Sequence, residues 1–169
     1  AVKKDIRTEV PFGHHVETLK LPRRLVTRSE KEWAQAKVDS VLAKPADKRT
    51  SAEESHRRWN QHVLDRFNEQ KTHPKFEMEL HVLRLGDVAV ATNPFELFLD
   101  FGMRMKTRCK APQTFIVQLA CSSGWYLPTL KAATGGGYSA IIQSNLVGPE
   151  GGDVLVNRTV EIINAMWAK

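Results

Sequence analysis

Residues 76–96 read FEMELHVLRLGDVAVATNPFE. Phe76, Met78, Leu80 and Val82 alternate with Glu77, Glu79 and His81, the period of a strand with one buried face. Leu85-Gly86-Asp87-Val88 then has the chemistry of a tight hairpin turn, and Val88, Val90 and Ala91 supply the returning strand. Asn93-Pro94 predicts a helix start, with Asn93 as N-cap, Pro94 at N1 and Glu96 at N3. Phe95, Phe98, Leu99 and Gly102 would form its buried face. Strand, turn, strand and helix in immediate succession describe a sheet with a helix laid upon it.

Upstream, Val16 to Leu21 alternates loosely and meets Pro22-Arg23-Arg24, which fits an edge strand. Ser29 to Glu32 and Ser51 to Glu54 each read as a capping box, Ser at N-cap and Glu at N3. Ala34, Val38, Val41 and Leu42 follow the first at helical spacing, and Trp59, Val63, Leu64 and Phe67 follow the second. Residues 29–70 are therefore expected to be two helices joined by the charged loop Pro45 to Thr50. Downstream, Thr114 to Ala120 is rich in β-formers, Ser122 to Gly151 is loop-rich with some short structure, and Asp153 to Trp167 is an amphipathic helix. The fold class is mixed α/β, with α+β layers in which helices pack on a mixed sheet. No repeat or linker divides the chain, so residues 1–169 form a single domain with a basic, mostly helical part (1–76) and a part of sheet, uncharged loops and closing helix (77–169).

The 169 residues are 41% hydrophobic and 26% charged, a soluble globular composition. The longest uncharged stretch, Ala111 to Leu130, carries two prolines and several polar residues and is no transmembrane segment. All of the net charge of +6 resides in residues 1–76. Acids are interleaved with the bases there and no aromatic–basic stripe emerges, so a solvated helical surface is expected and no nucleic acid partner. Cys109 and Cys121 flank the strand at 114–120, whose length of about 20 Å keeps them apart as free thiols.

Between Ala111 and Pro149 the only charge is Lys131, in a segment that holds Trp125, Tyr126, Tyr138 and the hinge-like Gly135-Gly136-Gly137. Such a segment lines an apolar pocket or docks on another domain. Glu96 has two readings: a helix cap, or a functional carboxylate beside a strand end. His14, His15 and Glu17 do not make a metal site, because neighbouring side chains on a strand point apart. His56 and His62 lie on different faces of a helix, and His73 and His81 have no partners along the sequence. Cys121, Ser122 and Ser123 follow a strand, yet lack the G-x-S-x-G pattern of a nucleophile elbow.

The second half resembles the C-terminal part of the neutral/alkaline (non-lysosomal) ceramidase superfamily, in its short bacterial members. The resemblance is carried by Gly86 to Phe98, Gln113 to Ala120, Gly124 to Thr129 and Gly136-Gly137-Tyr138. It is strong over residues 84–140 and extends in order over 16–169. It implies the C-terminal portion of a larger α/β hydrolase domain, a zinc amidohydrolase cleaving a linear N-acyl amide. Glu96 and Tyr126 would be metal ligands to Zn2+, and Tyr138 the catalytic tyrosine near the scissile amide. The remaining ligands, two His, and a Ser would come from an N-terminal part that this chain does not contain. The chain, which begins at Ala1, is thus expected to be a fragment, inactive alone, whose parent is secreted or periplasmic and takes a lipid-like amide substrate. A homodimer through the face that the missing part would cover is also expected. The rival reading is a non-catalytic interaction domain that docks through its uncharged loops, with Glu96 merely capping a helix.

Overall fold

The structure, a computed structural model, describes residues 6–168. The hairpin forms as its alternation dictates: β2 (Lys75–Leu85) and β3 (Val88–Thr92) pair antiparallel from Leu85↔Val88 onward. Gly86 takes φ +59° in the two-residue turn, a left-handed conformation that a Cβ disfavours. β1 (Phe12–Pro22) is an edge strand, as expected, but it is twice the anticipated length and pairs with the whole of β2, from Phe12↔Leu85 to Pro22↔Lys75.

β5 (Gln113–Val117) completes the sheet order β1-β2-β3-β5, parallel to β3, so the sheet is mixed as expected. It ends three residues earlier than the β-former run suggested, because Leu119 and Cys121 turn left-handed at φ +54° and +66°. The crossover from β3 to β5 carries α3 (Leu99–Arg108), and α5 (Pro149–Met166) packs beside it. Pro149 opens α5 four residues before the expected Asp153, at a position where its missing N–H costs nothing. Phe101 and Met105 of α3 and Leu155, Val156 and Ile163 of α5 bury against Met78, Leu80, Val82, Ala89 and Ala91. Gly152 admits this contact, since a Cβ there would overlap the Phe101 ring.

A second cluster joins α1 (Arg28–Leu42) and α2 (Ser51–Glu69) through Val26, Ala34, Val38, Val63, Leu64 and Ile142. α1 begins two residues, and α2 one residue, earlier than the serines implied. Thr27 caps α1 with Glu30 at N3, and Thr50 caps α2 with Glu53 at N3, each as a full capping box. The two registers differ only in which hydroxyl comes first, and the upstream threonine satisfies the first free amides.

The helix expected from Asn93 does not form there. Asn93 Oδ1 accepts the Phe95 N–H at 3.1 Å in a local turn, and Phe95 is fully buried. The Glu96 N–H donates to the Trp125 carbonyl at 2.9 Å and the Leu97 N–H to Gln118 Oε1 at 2.8 Å. These bonds to neighbouring chain segments replace one helical turn, so α3 starts at Leu99 and leaves that side chain exposed. Glu96–Leu97 instead forms the short strand β4, parallel to β6 (Tyr126–Leu127). The rest of residues 128–148 holds α4 (Leu130–Gly135) and 3-10 turns at Tyr138–Ala140 and Ile142–Ser144.

Candidate functional site

The pairing of β4 with β6 sets Glu96 directly opposite Tyr126. Gly124 makes this approach possible, because any Cβ there would overlap the buried Phe95 ring. Trp125 follows with φ +59°, uncommon for a non-glycine residue and a mark of backbone held in place by its surroundings. Glu96, Trp125 and Tyr126 line a cavity of about 300 Å³ with Trp59 of α2, Tyr138, Gln143 and Ser144. The Tyr138 ring stacks on Trp59 with centroids 5.9 Å apart and meets Tyr126 edge-on at 6.0 Å.

Asn145, fully buried, holds the aromatic wall together. Its Nδ2 donates to the carbonyls of Ser139 (2.9 Å) and Tyr126 (3.2 Å), which ties the turn bearing Tyr138 to β6. Its Oδ1 accepts from Arg24 on the far side. Gln143 donates to Asn60 Oδ1 at 3.2 Å, anchoring the same loop to α2. Ser144 borders the cavity, but its Oγ is closed off from solvent and has no hydrogen-bond partner among the described residues. An unpaired buried hydroxyl costs free energy.

Hydrogen bonding to the Glu96 carboxylate, then burial and the carboxylate's charge, raise Tyr126 above the ordinary tyrosine range. Together the two side chains offer a carboxylate and a phenol oxygen, both acceptable to zinc in kind. In number they are incomplete, since no histidine lines the cavity and, among the described residues, Glu96 belongs to no group of three His, Cys, Asp or Glu ligands. A larger, mostly apolar groove of about 450 Å³ runs between Trp33 of α1 and Ala133, Ala140 and Ile142, with the Arg24–Glu30 ion pair on its lining, and Gln143 borders both spaces.

Three sequence candidates of the resemblance, Glu96, Tyr126 and Tyr138, are thus brought to one cavity. Trp59, Ser144 and Asn145 were missed. Trp59 reads locally as the apolar stripe of a helix, and the only hint of the others is a Ser-Asn pair inside an otherwise apolar run. Cys121, Ser122 and Ser123 lie on an exposed loop outside the cavity. His14 and His15 do face opposite ways: His15 bonds Glu17 at 3.0 Å, whereas His14 lies edge to edge with His81, its Nε2 2.9 Å from His81 Nδ1. Gly136 and Gly137, at φ +75° and +98°, take conformations that need glycine in the loop before Tyr138.

No family model and no curated protein matches the chain. Among solved structures it is similar to a ceramidase complexed with C2, at 16% identity and a TM-score of 0.49 over 54% of this chain. It is similar also to the neutral ceramidase of Pseudomonas aeruginosa, at 18% identity and a TM-score of 0.48 over 53% of this chain. The chain spans 15% of the length of each of those proteins.

Proposed function

We propose that this chain supplies one wall of a ceramidase-like zinc amidohydrolase site that acts on a linear N-acyl amide. The observation that supports it is the in-register pair Glu96 and Tyr126 in an aromatic cavity. Glu96 and Tyr126 would be two of the zinc donors, and the resemblance assigns the others, with the serine, to a part outside this chain. Zinc, when bound, polarises the amide carbonyl and supports attack on it.

The chain's own residues bind and orient the substrate. Tyr138 directs its hydroxyl toward the scissile amide and stabilises the oxygen on which charge develops. Trp59 and Trp125 exclude water from the reacting group, and the apolar groove beyond Gln143 accommodates an alkyl chain. The parent acts outside the cytoplasm, in the periplasm or the medium. No helix among the described residues is long and apolar enough to cross a membrane. One expectation of the rival docking domain, Glu96 capping a helix, is not met, since Glu96 lies in β4.

The test is hydrolysis of a fluorogenic N-acyl amide by the full-length natural polypeptide with zinc present. Glu96→Gln is expected to lower kcat/KM by about 100-fold or more, since even residues that only orient metal ligands are worth 10- to 100-fold. Tyr138→Phe should lower kcat more than it raises KM. Hydrolysis unchanged in Glu96→Gln, or absent from the zinc-loaded polypeptide, contradicts the reading.

A further inference from the structure

We propose that Glu79, His81 and Cys121 form a binding site for a zinc-class divalent transition ion on the sheet face opposite α3 and α5, with His14 positioning His81. The site is separate from the Glu96–Tyr126 cavity and shares no residue with it. Glu79 and His81 stand two apart on β2, so both project from the face that the helices leave uncovered. In the β1–β2 register Val16 pairs with His81, which sets His14 diagonally beside it.

Contacts are already close. A carboxylate oxygen of Glu79, a ring nitrogen of His81 and the Cys121 sulfur all lie within 4.8 Å of one another. His81 Nε2 is 2.6 Å from Glu79 Oε1, and His81 Nδ1 is 2.9 Å from His14 Nε2. Cys121 reaches this point because the chain turns left-handed after β5, at Leu119 and again at Cys121, while the Ala120 N–H donates to the Asn93 carbonyl at 3.0 Å. Bonds of about 2.0–2.3 Å to a central ion span such separations with small side-chain rotations.

The donor set selects the ion. One thiolate, one imidazole and one carboxylate suit zinc and its neighbours, and the sulfur disfavours calcium and magnesium, which take oxygen. Three protein ligands leave the fourth tetrahedral position to water. With the ion on Nε2, His81 keeps its proton on Nδ1 and donates it to His14 Nε2, which fixes the tautomer and ring orientation.

Cobalt(II) is the probe, added to the reduced 169-residue chain. One equivalent is expected to bind, with a thiolate-to-cobalt charge-transfer band that Zn2+ abolishes by displacement. Cys121→Ser removes the band, and because this side chain is exposed the variant keeps the wild-type circular dichroism. His14→Ala retains the band and weakens binding about 10- to 100-fold. Cys109→Ser changes neither. Absence of the band from the wild-type chain, or its survival in Cys121→Ser, overturns the site and leaves the cavity reading untouched.

Discussion

Glu96 governs the protonation of its neighbour. Because its carboxylate raises Tyr126 through hydrogen bonding and charge, Glu96→Gln is expected to lower the Tyr126 pKa toward its ordinary value of 10.0. Only two tyrosines are present, so ultraviolet titration resolves the change. A titration identical to wild type would mean that the two side chains do not interact. A second residue-scale contact ties β1 to α5: Arg158 donates to both oxygens of Glu17, at 2.7 and 2.6 Å. That guanidinium, with His15, holds the Glu17 carboxyl down at about 2, against 4.5 without them. A depressed carboxylate contributes stability above the unfolded value and loses it as pH falls toward the folded one. Glu17→Gln should therefore cost on the order of 1 kcal/mol at pH 7. Thermal unfolding should show that difference shrinking between pH 4.5 and 2.

At the scale of elements, the capping hydroxyls give a direct comparison. Thr50→Ala is expected to destabilise the chain by about 1 kcal/mol, whereas Ser51→Ala, one position inside the helix, should change stability by a few tenths. Urea unfolding measures both, and equal effects would move the cap to Ser51. Elements set by contiguous residues were legible in the sequence: the β2–β3 hairpin through its alternation and Gly86, and both helices of the basic part through their apolar spacing. Asn93 to Phe98 was not. Asn, Pro and Glu in this spacing serve a helix start and a local turn equally well, and β6, some thirty residues onward, decides between them. A helix reading places Glu96 against the Asn93 amide; the strand places it opposite Tyr126.

At the scale of the whole molecule, helices cover one face of the sheet, and the other exposes Val16, Phe115 and Val117 around the Glu79, His81 and Cys121 group. The cavity joins residues from α2, β4, β6 and two 3-10 turns. The resemblance pointed to Glu96, Tyr126 and Tyr138, but Trp59, Ser144 and Asn145 converge only when the loop from 128 to 148 folds onto α2. His81 had no partner along the sequence for the same reason, since Cys121 reaches it across a strand. The half-site account makes zinc stoichiometry its most direct test, measured on the full-length natural polypeptide carrying Cys121→Ser so that the sheet-face site does not contribute. The expected result is one zinc per chain, lost when Glu96→Gln is added. Zinc retained in that double variant, or none bound before it, contradicts the assignment of Glu96 and Tyr126 as ligands.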